Sequence, residues 1–143
     1  MATYLQDSLI EPWLALSDYQ REMTHCTGQY GASNIFIGTM RDYNEGAGVS
    51  EMMLEHYPEM TRRHLEKIEH EARQEFDLLD SLIIHRFGAI HPNEPIVVVA
   101  SWAAHRDAAF KASRFMIDAL KQRAPFWKKE TLVNSGESRW VTA

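Results

Sequence analysis

The chain has 143 residues, enough for one domain with a sizeable core and too few for two ordinary ones. Hydrophobic residues make up 45% and charged residues 24%, close to the globular average, which excludes a disordered or fibrous chain. A formal charge of −5 argues against generic binding to nucleic acid or an anionic membrane, and no stretch approaches the roughly eighteen apolar residues of a spanning helix.

Met1 to Asp7 lacks a basic region followed by an apolar stretch, so no signal peptide is expected. The one cysteine, Cys26, fits a reducing compartment, and a cytoplasmic location is the expectation. No repeat or linker composition divides the chain, which reads as a single domain over 1–143.

Glu11 to Met23 places Trp13, Leu14, Leu16 and Tyr19 at helical spacing. Ser33 to Arg41 alternates as a strand, the segment Asn44 to Gly48 reads as a turn or a moving lid, and Val49 to Tyr57 is a second strand. Pro58 suits a first helical position, and Leu65, Ile68, Ala72 and Phe76 then mark an amphipathic helix from Glu59 to Phe76. Asp77 and Asp80 read as a solvated turn. Ser81 to Phe87 and Pro95 to Trp102 are strands, and the unbroken run Ile96 to Ala100 predicts cover on both faces. Asp107 is the expected N-cap of a helix that Pro125 ends, and Phe126 to Val133 is a last strand. Strands mixed with two long helices place the chain in the α+β or α/β class, a mixed sheet with helices laid across it.

Charge is unevenly distributed. Residues 101–130 hold seven basic and three acidic side chains, against eight and seventeen in the rest of the chain. Such a segment marks either a local anion site or a solvated helix face. Within it, Ala108, Ala112, Phe115, Met116, Ala119 and Leu120 form a core face. Phe110, Ile117 and Lys121 make a second line. That line places Lys121 beside apolar side chains, which would lower its pKa, or leaves it as an ordinary cation at a helix C-terminus. His105 and Arg106 stand at a strand-to-helix junction, where free backbone N–H groups favour anions; a surface pair capping a loop is the plainer reading. Arg41 closes the Ser33 strand beside the glycine-containing loop. In an extended Phe126–Val133 segment, Lys128 and Lys129 point to opposite faces. Trp127 shares its side with Lys129, so that side is expected to pack and Lys128 to face the pocket.

Other chemistry finds no support. His64 and His70 are six apart, which is not a helical metal-ligand spacing, and no glycine-rich nucleotide loop, G-x-S-x-G or C-x-x-C is present. Neither a metal nor a cofactor is expected. Cys26 has no surrounding motif and reads as a small buried hydrophobe.

The phrases Phe36-Ile37-Gly38-Thr39-Met40-Arg41, Leu54-Glu55-His56-Tyr57-Pro58, His85-Arg86-Phe87-Gly88, His105-Arg106-Asp107-Ala108-Ala109-Phe110, Leu120-Lys121 and Pro125-Phe126-Trp127-Lys128-Lys129-Glu130 resemble the large, catalytic subunits of molybdopterin synthases in order and spacing. Met40 departs from that pattern, where valine is commoner. The resemblance implies an α/β hammerhead-like fold with an added β-subdomain and a homodimer of large subunits within a heterotetramer. The partner it implies is a small ubiquitin-like sulfur-carrier subunit whose C-terminal thiocarboxylate threads into the site. Two sulfurs would pass to cyclic pyranopterin monophosphate, forming the molybdopterin dithiolene. The substrate-binding residues it implies are Thr39, Met40, Arg41, His105, Arg106, Lys121, Lys128, Lys129 and Glu130, with Lys121 and Lys128 catalytic. A non-catalytic module that binds a phosphorylated metabolite or a partner tail is the other reading of the same cations.

Overall fold

The structure is a computed structural model that describes residues 1–141. The last two residues of the expected 1–143 unit lie outside the described residues. The elements in order are β1 (Ala2–Gln6), α1 (Pro12–Glu22), β2 (Ala32–Thr39), β3 (Tyr43–Asn44), β4 (Ala47–His56), α2 (Pro58–Phe76), β5 (Asp80–Arg86), β6 (Gly88–Ile90), β7 (Pro95–Ala103), α3 (Arg106–Arg123), β8 (Phe126–Leu132) and β9 (Ser138–Val141). The class is α+β, as expected from the sequence.

The first sheet has the order β1-β5-β7-β2, with β1 parallel to β5 and the other pairs antiparallel. The apolar run in β7 is covered on both faces because successive side chains alternate. Val98, Ala100 and Trp102 pack with Leu82, Ile84 and α1's Leu16, whereas Val99 and Ala103 pack with α2 and α3. Leu65, Ile68 and Ala72 of α2 and Ala112, Met116 and Ala119 of α3 supply that second layer at the predicted spacing.

The second sheet runs β3-β4-β8-β9, with β6 on the other side of β4. Its inner face carries Val49, Met52 and Leu54, packed with Met40, Ile90, Ile96 and Phe126. Gly88, at φ +85°, turns the chain from β5 of the first sheet into β6 of the second, a conformation that costs glycine little. The segment expected as a turn or lid is a two-residue hairpin turn. Glu45 and Gly46 both have positive φ, at 50° and 81°, which matches the twist of the flanking strands.

Several expectations are corrected. Asp107 is not the N-cap of α3; His105 is, and Asp107 lies in the first turn, paired with Lys111 at 3.0 Å. Asp80 is not solvated: it is buried at the start of β5 and accepts the Tyr19 hydroxyl at 2.9 Å, while Asp77 ends α2 in the left-handed region. The packed side of β8 is not the one Trp127 shares with Lys129. Phe126, Lys128, Glu130 and Leu132 face inward, and Trp127 is exposed against Tyr57. Strands β1, β3, β6 and β9 had no counterpart in the sequence reading.

Candidate active site

Helix α3 follows β7 after two residues and runs back along it. Ser101 of β7 donates its hydroxyl to the Ala109 carbonyl at 2.8 Å and meets the Ser113 hydroxyl at 2.7 Å. This direction decides where the cations go. His105 and Arg106 open α3 and Lys121 sits in its last turn, so about 24 Å of helix separates His105 from Lys121. Pairing of β2 with β7 places Ala32 opposite Ala103 and Thr39 opposite Pro95. Arg41 therefore lies at the Lys121 end of the sheet, about 23 Å of strand away from the His105 end. The expected site residues therefore divide within one chain: Thr39, Met40, Arg41, Lys121 and Lys128 lie toward the joint between the sheets, and His105 with Arg106 at the far end of α3.

At the joint, Thr39, Met40, Arg41, Asp42, Tyr43, Pro92 and Asn93 line a concavity of ≈ 340 Å³. A larger one of ≈ 540 Å³, around Leu9–Leu14 and Pro92–Pro95, carries Glu11 and Glu94 but no cation. Of the two, the smaller is the one that carries a cation, Arg41, beside Asp42. The Arg41 side of it is exposed, whereas Met40 is buried and anchors the segment in the second core.

Ion pairing sorts the cations of residues 101–130. Lys111 is taken by Asp107, Arg114 by Asp118, and Arg123 by Glu71 at 2.6 Å. Lys129 lies 5.5 Å from the centre of the Trp140 ring, a cation–π contact. Among the described residues, Arg41, Arg106, Lys121 and Lys128 have no carboxylate partner. Lys129 aside, these are the expected site cations whose charge no carboxylate offsets. Lys121 is exposed rather than set among apolar side chains, and Phe110 of the same line is 63% exposed. Lys128 faces inward beside the stacked rings of His85 and Phe126, which are 4.1 Å apart. Burial holds the His85 imidazole down to about 4, with His56 and Lys128 adding like-charge repulsion. A neutral ring therefore stands next to Lys128.

Glu130 is occupied differently. It is buried, it accepts both Asn44 side-chain contacts at 3.0 and 3.2 Å, and Arg139 lies 3.5 Å away. Its carboxylate braces the β3 turn and β9. Cys26 is buried in the core under α1, where no substrate reaches its thiol. The sequence reading missed buried Arg86 and half-buried Glu94 at the joint; the phrase His85-Arg86-Phe87-Gly88 was the signal for the first of them.

Residues 10–123 match the model of the family described as MoaE protein. The chain is 52% identical over 115 residues to the molybdopterin synthase catalytic subunit of Ralstonia nicotianae, covering 80% of this chain and 64% of that protein, just under two thirds of its length. It is 48% identical over 122 residues to the protein of the same name from Cereibacter sphaeroides, covering 84% and 81%. The solved molybdopterin biosynthesis MoaE protein of Burkholderia ambifaria superposes with a TM-score of 0.79 at 40% identity, over 100% of this chain and 90% of that one. With its basic side chains divided between the two ends of α3, and with this similarity along most of its length, the chain belongs to the MoaE protein family.

Proposed function

We propose that the chain is the catalytic subunit of molybdopterin synthase and acts as a sulfurtransferase in molybdenum cofactor biosynthesis. In this reading it takes two sulfurs in turn from the thiocarboxylated C-terminus of a small ubiquitin-like carrier subunit. It passes them to cyclic pyranopterin monophosphate. The observation that carries the reading is the set of unpaired cations at the joint between the sheets. A carrier tail and a phosphorylated pterin are both anions, and Arg41, Lys121 and Lys128 hold no competing carboxylate. Because sulfur arrives on the partner, no nucleophilic cysteine is needed, in keeping with the buried Cys26.

The roles follow from charge and placement. Arg41 binds the substrate phosphate, for which a guanidinium fork is suited, and steadies negative charge as the cyclic ester opens. Lys121 transfers the proton that activates the thiocarboxylate or the pterin side-chain carbon. Lys128 holds the carrier's terminal carboxylate. His105 and Arg106 reach this site only from a second copy, since α3 keeps them about 24 Å from Lys121 in their own chain. A homodimer supplies that copy and, with two carriers, makes a heterotetramer. The dimer reading is supported by Ile35 and Phe36, more than a third exposed on the edge strand β2, and by Phe110 on the helix packed beside it. The unit 1–143 works as one domain in the cytoplasm; no helix of the described residues is long and apolar enough to cross a membrane.

The deciding experiment mixes the protein with thiocarboxylated carrier and the cyclic pterin under single-turnover conditions and assays dithiolene. Stoichiometric sulfur incorporation is expected. Binding of both anions without sulfur transfer would establish a non-catalytic module instead.

A further inference from the structure

Arg86 ends β5 with its side chain only 8% exposed, and its partner Glu94 lies just before β7. The Arg86 Nη1 atom stands 3.2 Å from Glu94 Oε1, while Nη2 donates to the Ala89 carbonyl at 3.0 Å. The same Glu94 oxygen accepts the His91 backbone N–H at 2.6 Å, so one carboxylate closes the turn His91–Glu94 and ties it to the core. That turn is then joined to Met40 by two backbone hydrogen bonds. Met40 N–H donates to the Glu94 carbonyl at 3.0 Å, and Asn93 N–H donates to the Met40 carbonyl at 2.9 Å. Arg41 is the next residue, and Asn93 shares its concavity.

From this chain of contacts we infer that Arg86 and Glu94 are positioning residues for Arg41: the ion pair between buried Arg86 and half-buried Glu94 holds the His91–Glu94 turn against Met40 and so fixes where the Arg41 guanidinium enters the anion site. The inference rests on the reading of Arg41 as a substrate contact. A pair of this kind is chosen for register more than for stability. Desolvating Arg86 offsets much of the pair's attraction, yet removing Glu94 leaves that guanidinium buried and uncompensated. The turn runs directly into β7, which pairs with β5, and the Arg86 contact adds a side-chain tie to that frame. Asn93 adopts φ 71°, an uncommon conformation for a side-chain-bearing residue. The contact of the turn with β4 is exposed: His91 Nε2 faces Glu51 at 3.1 Å with both side chains open to water.

The test is a double-mutant cycle in the assembled synthase, with saturating thiocarboxylated carrier and the cyclic pterin as varied substrate. Glu94→Gln is expected to raise KM for the pterin about tenfold with kcat little changed, as loss of a charge-assisted contact would. Arg41→Ala is expected to raise KM at least as much, and the double variant no further, because Glu94 acts through Arg41. A purely structural brace would lower Tm and leave KM alone, and additive effects in the double variant would mean that Glu94 acts elsewhere; either result overturns the inference. An unchanged KM in Arg41→Ala fails the site reading itself and removes what the pair would act on. Should Glu94→Gln prove too unstable to purify, Glu94→Asp keeps the charge but is one methylene too short. An intermediate KM there supports the inference, and a wild-type KM refutes it.

Discussion

Glu69 of α2 accepts the Ser81 hydroxyl of β5 at 2.5 Å, and neither residue has any surface open to solvent. Its other oxygen accepts the Thr3 hydroxyl of β1, so one carboxyl joins helix and sheet. Burial raises its pKa to about 7, partly opposed by the two hydroxyl hydrogen bonds. A carboxyl with a raised native pKa binds its proton more tightly when folded. Its stabilising contribution is complete below the unfolded value and is lost as pH rises through about 7. Glu69→Gln, which keeps the shape without the charge, is therefore expected to gain on wild type by on the order of 3 kcal/mol between about pH 4.5 and 7.5. Paired thermal melts across that range measure it, and a difference independent of pH would show that Glu69 stays charged in the fold.

His85 has the opposite sign. Its Nδ1 lies 2.9 Å from the Arg86 carbonyl, its ring stacks on Phe126, and burial lowers its pKa to about 4. A histidine with a lowered native pKa binds its proton better when unfolded, so it destabilises as pH falls from about 6.5 toward 4. His85→Phe keeps the stack, and at pH 8 it costs about 1 kcal/mol for the lost hydrogen bond. By pH 4.5 the variant is expected to be the more stable protein. Denaturant midpoints at the two pH values give the answer directly.

Placement of His105 and Lys121 at opposite ends of α3 makes a sharp prediction for mixed assemblies. Arg106→Ala and Lys121→Ala homodimers are each expected to lose 10²-fold or more of pterin conversion while retaining carrier binding. Co-expressed, the two variants form hybrid dimers in which one site has both intact residues. Activity should return to roughly a quarter of wild type, the share set by random pairing and one live site in two. If Arg106 and Lys121 of the same chain served one site, mixing would restore nothing.

Gly31 controls the approach to His105. A Cβ at this position would lie 2.5 Å from the Ala104 carbonyl oxygen, which is backbone and cannot rotate away. Gly31 N–H also donates to the Ala103 carbonyl at 2.9 Å, fixing β2 against the last residues before α3. Gly31→Ala is expected to destabilise the protein by about 1–3 kcal/mol and to displace His105 and Arg106. A raised pterin KM in the surviving folded fraction would mark that displacement; unchanged Tm and KM would mean that the strand yields freely.

Much of the fold could be read from residue spacing alone. Leu65, Ile68 and Ala72 declared α2, and the Ile96–Ala100 run declared a strand buried on both faces, because periodicity is a local property of a chain that must bury apolar area. The short strands were not legible: β3 and β6 span two and three residues, and β1 is a parallel strand whose pairing with β5 is not encoded near it. Buried Asp80 was read as solvated for a related reason. A carboxylate looks solvated in sequence until its partner, here Tyr19, arrives from far along the chain.

The sequence by itself determined that basic side chains concentrate in residues 101–130 and that a helix spans most of that segment. Tertiary structure decided which end of the sheet Arg41 occupies and which cations remain unpaired. Antiparallel pairing of β2 with β7 settles the first, and carboxylates such as Glu71, brought up on a neighbouring helix, settle the second. Both are relations between distant segments. No local pattern of residues encodes them, and packing of the apolar faces brings them about.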